Sequence, residues 1–194
     1  MTQAAFAHDI PGFLEPLGTA GPITVAVMVT SVDGRATVAG RVGGLTGSAD
    51  QQVLLGARER AAAVLVGGRT VQNEGYAGLL DAGAQARRRA GGLAPEPELV
   101  VFSRASPAPV ELIGQIRARH PGGLIACEGG PTLLGMVVAA RLLDQLVLCV
   151  SPQLVGDDAQ KRLLEHTGAL DLPLTLLAAA TADGFLFLRY GLAY

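Results

Sequence analysis

Two pairs of glycines stand where backbone amides could bind phosphate. Gly129 and Gly130 follow an apolar run and precede a segment with proline near its start, so a helix N-terminus could face an anion there. The alternative is a tight turn, which needs one glycine but seldom two beside an acidic residue. Gly67 and Gly68 have the same arrangement, with the hydroxyl of Thr70 nearby. The first loop predicts phosphate binding, whereas at the second loop a glycine-rich turn is an equal alternative.

Ser103 and Arg104 could supply the partners that a ribose 2′-phosphate requires, although a solvated pair of polar side chains fits the local sequence equally well. No Gly-Lys-Ser/Thr sequence follows the glycine pairs, which excludes a Walker A loop. The first predicted strand is not followed by Gly-x-Gly-x-x-Gly, the standard dinucleotide fingerprint. Phosphate binding is therefore predicted to be distributed over several loops.

Each of these loops follows a short apolar run that predicts a buried strand. The predicted strands are residues 23–29, 63–66, 98–102, 124–127 and 146–150, and a closing hairpin is predicted at residues 174–179 and 185–190. Helices are predicted at residues 48–62, 110–119, 131–140 and 157–166, while residues 75–97 are interpreted as a surface excursion. This alternation predicts an α/β fold with a mostly parallel central sheet, helices on both faces and an antiparallel C-terminal hairpin. Ligands of such sheets bind beyond the carboxyl ends of the strands.

Length and composition are those of one globular domain. The chain has 194 residues, of which 49% are hydrophobic and 16% charged, and its net charge is −2. This balance excludes a disordered chain and does not favour a nucleic-acid or anionic-membrane partner. No apolar run reaches the roughly 20 residues that span a bilayer, and the N-terminus lacks the basic region of a signal peptide. We expect a cytoplasmic protein with an N-terminal extension (residues 1–21) and a single domain (residues 22–194).

The cysteines and histidines do not suggest metal chemistry. Cys127 and Cys149 both lie in apolar, strand-like runs and are predicted to be buried structural thiols. His8, His120 and His166 are scattered, with no cysteine pair near them in the sequence. We therefore predict no metal site.

Six segments, read together, resemble the reductase half of the bacterial bifunctional deaminase/reductases of riboflavin biosynthesis, which has a dihydrofolate-reductase-like fold. The resemblance runs from about residue 23 to residue 190, and residues 74–76 resemble stand-alone members that lack the deaminase domain. The segments are residues 28–34 (MVTSVDG), 63–71 (AVLVGGRTV), 127–133 (CEGGPTL), 142–146 (LLDQL), 151–156 (SPQLVG) and 183–190 (DGFLFLRY).

The resemblance implies an NADPH-dependent oxidoreductase that acts on a small pyrimidine-type substrate. The family reaction reduces the ribosyl group of 5-amino-6-(5-phosphoribosylamino)uracil. The cofactor-binding residues that the resemblance and the loops together suggest are Gly67, Thr70, Val71, Ser103, Arg104, Gly129, Gly130, Pro131 and Thr132.

The resemblance also suggests residues on the substrate side. Ser31, Arg58 and Glu74 are the candidate substrate-binding residues, with Arg58 at the place of an arginine that holds the ribose phosphate. Asp33 and Glu128 are the candidate catalytic residues. Three of these residues have a plainer alternative: Asp33 as a turn residue before a glycine, Arg58 as a solvated helix residue, and Glu128 as a group that fixes its own loop.

The chain departs from the family pattern at two places. The Asp-Asp-Pro run of bifunctional members, with the substrate-phosphate arginine that follows it, is replaced by Glu74-Gly75-Tyr76, and the segment between Ser103 and Glu128 is short. Two alternatives therefore stay open: a reductase of the same fold acting on a pterin or specialised metabolite, and a non-catalytic nucleotide-binding paralogue.

The apolar run at residues 185–188 would be exposed on the closing hairpin, which predicts a homodimer that covers it.

Overall fold

The structure, a computed structural model, describes residues 5–6, 9–17, 22–76, 78–165 and 167–194. It contains an eight-stranded sheet with the strand order β1-β7-β8-β6-β2-β5-β3-β4. The strands are β1 (Ala5–Phe6), β2 (Thr24–Thr30), β3 (Ala61–Gly67), β4 (Glu98–Phe102), β5 (Leu124–Cys127), β6 (Gln145–Val150), β7 (Leu174–Ala182) and β8 (Phe185–Leu192). Strands β6, β2, β5, β3 and β4 run parallel, and β8 is antiparallel to both β6 and β7.

Helices cover both faces of the sheet. They are α1 (Ile10–Leu14), α2 (Ser48–Arg60), α3 (Gly68–Glu74), α4 (Ala82–Ala90), α5 (Pro109–Arg119) and α6 (Pro131–Ala139). One core, which includes Phe13, Val53 and Phe187, joins α1 and α2 to the sheet. The other core includes Ile113 and Leu134 and joins α5 and α6 to the opposite face. The predicted α/β class, with three layers and an antiparallel C-terminal hairpin, is confirmed.

Burial on both faces explains the sequence of the central strands. All seven residues of β2 are buried, which is why this strand is an unbroken apolar and β-branched run rather than an alternating one. Cys127 and Cys149 are fully buried free thiols in β5 and β6, as predicted.

Residues 9–17 belong to the predicted extension, and Phe13 and Leu14 pack in the first core. The boundary at residue 22 stays a prediction.

Two sequence predictions about connecting segments were wrong. Residues 157–165 do not form a helix and contain only a turn at residues 158–159, because the Asp157 carboxylate accepts hydrogen bonds from the Ala159 amide and the Gln160 side chain and so competes with helical pairing. His166, the last residue of that predicted helix, lies outside the described residues. Within residues 75–97 the chain forms α4, where Asp81 accepts a hydrogen bond from the Ala84 amide as N-cap.

The C-terminal hairpin is internal to the sheet, which corrects the expectation of an exposed apolar edge. β8 lies between β6 and β7, and Phe185 and Phe187 are 7% and 0% exposed. The neighbouring strands and the first core therefore cover Phe185 and Phe187, whereas Leu186 is 37% exposed. The expected exposure holds for only part of this run, and the homodimer stays a prediction.

A buried arginine closes the end of α2. Arg88 is 3% exposed, and its guanidinium donates to the carbonyls of Arg58, Glu59, Ala61 and Ala94 at 2.7–3.1 Å. Replacing Arg88→Met is expected to lower the free energy of unfolding by about 3 kcal/mol, because a buried carbonyl left without a donor costs ~1–3 kcal/mol and, of the four bonds, the one to Ala61 is fully buried. Urea denaturation measures the change.

Arg89→Met is the matched control for that variant. Arg89 is the adjacent residue on α4, but its side chain is exposed, so its loss is expected to change the free energy of unfolding by less than about 0.5 kcal/mol. Equal denaturation midpoints for the two variants would contradict the capping role of Arg88.

Candidate active site

A cleft with two cavities opens beyond the carboxyl ends of β2, β3, β4 and β5. The outer cavity has a volume of about 670 Å³ and lies between the loops after β3, β4 and β5. The inner cavity has a volume of about 260 Å³ and lies between α2, the middle of β2 and the loop after β5. Five residues line both cavities, so the two are compartments of one cleft; they are Val42, Thr70, Glu74, Gly130 and Pro131.

The N-terminus of α6 faces the outer cavity. Gly130 is the N-cap of this helix and has no side chain that could cap the first turn, which leaves backbone N–H groups available near the cavity. The loop needs Gly129, because a Cβ at that position would lie 2.8 Å from the Cβ of Leu133. A Cβ at Gly130 would lie 3.5 Å from the Thr70 hydroxyl oxygen, so the two glycine loops meet here. This arrangement matches an anion site at a helix N-terminus.

Among the residues that the structure describes, three cationic side chains and one carboxylate line the outer cavity. Arg69 and Arg104 follow β3 and β4, and Lys161 reaches the cavity from the segment after β6, with its Nζ 3.5 Å from the Thr132 hydroxyl. Glu74 is the carboxylate. Sequence reasoning missed Lys161, because the predicted helix at residues 157–166 gave no indication of which side chain faces the cleft.

Most of the predicted cofactor residues lie together in the outer cavity. Gly129 lines the inner cavity instead, and Val71 is in the lining of neither cavity. The residues that do line the outer cavity are Gly67, Thr70, Ser103, Arg104, Gly130, Pro131 and Thr132.

One stripe of α2 forms a wall of the inner cavity. Asp50, Leu54 and Arg58 recur every four residues and all line the cavity. Residues 27–29 of β2 form the apolar floor, and Tyr76 and Glu128 enter from the loops after α3 and β5. Arg58, Glu74 and Glu128 were predicted from the sequence, whereas Asp50 was not. The four-residue spacing from Arg58 is the signal that could have identified it.

Arg58 and Glu128 form a buried, bidentate ion pair. The Arg58 Nε and Nη2 donate to the two Glu128 carboxylate oxygens at 2.8 and 2.7 Å, and the Tyr76 hydroxyl donates to Oε2 at 3.0 Å. The Arg58 guanidinium also lies 5.1 Å from the centre of the Tyr76 ring. Burial opposes the charge on Arg58, but hydrogen bonding and attraction to Glu128 raise its pKa. Burial and the Glu128 carboxylate raise the pKa of Tyr76, which keeps the hydroxyl protonated.

Asp50 is a buried carboxyl group with a thiol as its polar neighbour. It is 5% exposed, and burial raises its pKa, an effect that a hydrogen bond from the Cys149 thiol partly offsets. The carboxylate in turn contributes, after burial, to raising the pKa of Cys149. The cavity therefore contains a carboxyl group in an environment that disfavours its charged form.

Ser31 and Asp33 lie outside the lining of both cavities and hold a loop together. The Ser31 hydroxyl donates to Asp33 at 2.7 Å, and the amides of Val155 and Gly156 donate to the Asp33 carboxylate at 3.0 and 2.9 Å. The hydrogen bond from Ser31, followed by those two amides, strongly lowers the pKa of Asp33. The predicted substrate-binding role of Ser31 and catalytic role of Asp33 stay predictions, and these contacts fit the plainer alternative of a turn residue.

The three-layer architecture and the cleft at the strand ends are those of a dihydrofolate-reductase-like protein. The family model described as the RibD C-terminal domain matches residues 22–116 and 108–185. The chain therefore belongs to the family of RibD C-terminal-like reductase domains. A search of curated proteins gave no match.

Solved structures share this fold at low sequence identity. A pyrimidine reductase-like protein from Corynebacterium diphtheriae is 18% identical, with a TM-score of 0.84 over 96% of this chain and 99% of that one. A Thermotoga maritima deaminase/5-amino-6-(5-phosphoribosylamino)uracil reductase is 13% identical, with a TM-score of 0.64 over 93% of this chain and 59% of that one. Enterococcus faecalis dihydrofolate reductase, in complex with NADP(H), is 11% identical, with a TM-score of 0.56 over 89% and 97%. At these identities the likeness shows the fold alone.

Among the helices of the described residues, none is long and apolar enough to cross a membrane.

Proposed function

We propose that this chain is an NADPH-dependent reductase whose small substrate contains a nitrogen heterocycle. The observation that carries the proposal is the charge difference between the two cavities. The outer cavity has three cationic side chains against one carboxylate, whereas the inner cavity is lined by three carboxyl groups and one guanidinium. A dinucleotide phosphate fits the first environment, and an uncharged or cationic ring fits the second.

The residues of the outer cavity fit the phosphates of NADPH. The N-terminus of α6, with Thr132 and Lys161 beside it, would hold the pyrophosphate. Ser103 and Arg104, at the far side after β4, would hold the ribose 2′-phosphate that distinguishes NADPH from NADH. When bound, the cofactor supplies a hydride, and the chain supplies the position of the substrate.

The inner cavity would hold and shield the substrate. Its apolar floor on β2 excludes water, and the Arg58–Glu128–Tyr76 cluster braces the wall between α2 and the loop after β5. The first substrate candidate is 5-amino-6-(5-phosphoribosylamino)uracil. The name of the Thermotoga maritima neighbour contains this compound, and the reductase family that the six sequence segments resemble acts on it. Riboflavin biosynthesis would then be the pathway served.

One observation favours a second candidate, a reductase of the same fold acting on a pterin or another unphosphorylated ring. Arg58, at the place of the family's phosphate-binding arginine, already donates to both Glu128 oxygens. Its charge is therefore neutralised inside the protein. A non-catalytic nucleotide-binding paralogue is the third candidate, and substrate-dependent oxidation of NADPH would exclude it.

Titration with NADPH and NADH, followed by nicotinamide fluorescence, tests the proposal. We expect saturable binding that favours NADPH, and an affinity for NADPH that falls about ten- to a hundredfold in Arg104→Ala, because a charge-assisted contact to phosphate is lost. NADH binding is expected to change little in the same variant. Arg89→Ala, an exposed arginine of α4, is the control. Equal affinities for the two cofactors, or no binding of either, would contradict the proposal.

A further inference from the structure

β4 forms one edge of the sheet, and among the residues that the structure describes no strand pairs with its outer side. On its inner side β4 pairs with β3 over its full length, from Glu98 to Phe102. The opposite edge of the sheet is β1, which has two residues and offers little main chain for pairing. β4 is therefore the edge at which a strand of another chain can be added through main-chain hydrogen bonds.

Two residues of β4 direct their main-chain groups outward. The Leu65 carbonyl accepts a hydrogen bond from the Glu128 amide, so Leu65 faces β5 and the next residue, Val66, faces β4. Val66 aligns with Val101, and in a parallel ladder such a residue bonds to the positions on either side of its aligned partner. The N–H and C=O groups of Val101 therefore lie on the outer edge, and those of Leu99, two residues earlier, lie there as well.

The open part of this edge is bounded on both sides. Pro97 has no N–H group, so a ladder of hydrogen bonds ends there. Ser103 uses its own groups in the turn after β4, where its N–H donates to the Ser106 hydroxyl at 3.0 Å and its carbonyl accepts from the Ser106 amide at 3.1 Å. The same hydroxyl donates to the Val101 carbonyl at 3.4 Å, which leaves that oxygen a second lone pair. Leu99 and Val101 are thus open to a partner strand.

A second copy of β4 fits this edge in one antiparallel register. With Val100 on a two-fold axis, Leu99 of each copy lies opposite Val101 of the other, and each of these two pairs can exchange two main-chain hydrogen bonds. Pro97 of one copy then lies opposite Ser103 of the other, so the positions that cannot pair coincide. A shift of the axis to Leu99 or to Val101 would pair an open residue with a closed one.

The side chains of the edge suit the same arrangement. Leu99 and Val101 are 36% and 40% exposed, and in this register those of the two copies form one apolar patch on one face of the sheet. The strand ends carry opposite charges, because antiparallel pairing brings Arg104 of one copy toward Glu96 of the other. Arg104 also lines the outer cavity, and its guanidinium has enough N–H donors to meet a carboxylate and a phosphate together.

We propose that two copies of this chain associate through antiparallel pairing of their β4 strands, which joins the two sheets into one continuous sheet. This surface differs from the run at residues 185–188, which suggested a homodimer from the sequence. Each copy brings its Glu96 to the rim of the other's outer cavity, beside Arg104. The inference rests on main-chain geometry and does not depend on the proposed function.

Sedimentation velocity of the full chain at about 1–100 μM tests the inference, because so short a ladder favours a dissociation constant in the micromolar range. We expect a species of twice the 19.8 kDa chain mass at the upper concentrations. Leu99→Lys/Val101→Lys sets like charges opposite each other and is expected to weaken dimerisation about tenfold or more. Leu186→Lys is the matched control, since Leu186 is 37% exposed on the hairpin, and it is expected to leave the dimer intact.

Val100→Cys reports the register. The two introduced thiols would lie in a non-hydrogen-bonded pair, where Cα atoms are about 4.5 Å apart and a disulfide can form. Mild oxidation is expected to cross-link this variant into a covalent dimer, whereas Leu99→Cys is expected to stay uncross-linked because its own copy lies two positions away. Cys127 and Cys149 are fully buried, so the native thiols do not contribute.

Three results would overturn the inference. They are a wild-type chain that stays monomeric at about 100 μM, a dimer that persists in Leu99→Lys/Val101→Lys, and a dimer that is lost in Leu186→Lys. The last result would assign the interface to the hairpin. Circular dichroism shows whether each variant is folded, and if the double lysine variant fails to fold, the cross-linking of Val100→Cys against Leu99→Cys decides the question.

Discussion

Arg58→Met is expected to lower the free energy of unfolding by about 3–5 kcal/mol, because among the described residues it leaves the buried Glu128 carboxylate with the Tyr76 hydroxyl as its remaining side-chain donor. Methionine keeps most of the apolar stem of Arg58, so the lost free energy of unfolding measures mainly the contribution of the guanidinium charge. The double variant Arg58→Met/Glu128→Met is expected to recover much of the stability, since it removes both buried charges. Guanidinium denaturation of the three proteins measures these differences.

The chain provides a matched surface pair as the control. Arg87 donates to both carboxylate oxygens of Glu59 at 2.7 and 2.9 Å, the same geometry as the inner pair, but its side chain is 64% exposed. Arg87→Met is therefore expected to cost no more than about 1 kcal/mol. Equal losses in Arg58→Met and Arg87→Met would mean that burial does not govern the inner pair.

The same variant separates the two roles considered for Arg58. If Arg58 braces the cavity wall, Arg58→Met loses stability and weakens the binding of unphosphorylated and phosphorylated rings alike. If it holds the substrate phosphate, the variant keeps its stability and raises KM for phosphorylated substrate alone. The two hydrogen bonds to Glu128 lead us to expect the first result.

Gly129→Ala is expected to reduce NADPH affinity about tenfold or more and to lower the free energy of unfolding by about 1–3 kcal/mol. The added Cβ would lie 2.5 Å from the Leu133 Cδ2 and 2.8 Å from its Cβ, and the latter is held by the first turn of α6. The turn must shift, and the amides that face the outer cavity shift with it. Nicotinamide fluorescence and urea denaturation measure the two effects.

Gly114→Ala tests whether the effect is specific to that loop. Gly114 lies within α5, where an added Cβ would meet no atom within 4 Å. Alanine is therefore expected to stabilise this helix by about 0.5–1 kcal/mol and to leave NADPH affinity unchanged. A Gly129→Ala protein that binds NADPH like the Gly114→Ala protein would argue against a cofactor at the α6 N-terminus.

The sequence by itself determined strands β2 to β8, helices α2, α5 and α6, and the class of the fold, but not β1, α1, α3 or α4. Apolar runs such as residues 124–127 and the proline near the start of the helix predicted at residues 131–140 depend on neighbours a few positions away, so local pattern sufficed. The rule that ligands lie at the carboxyl ends of parallel strands also pointed to the loops that line the outer cavity. The resemblance to the RibD reductase half followed from the same short segments.

Tertiary structure decided which side chains of those loops meet. Arg58 and Glu128 are 70 residues apart in the sequence. Only the packing of α2 against the loop after β5 brings the candidate substrate-binding residue Arg58 and the candidate catalytic residue Glu128 together as a buried ion pair. Lys161 reaches the outer cavity because residues 157–165 turn where a helix was predicted. Asp50 becomes a buried acceptor because α2 places it beside Cys149 of β6. Contacts between residues distant in sequence depend on strand order and helix packing, which local periodicity does not encode.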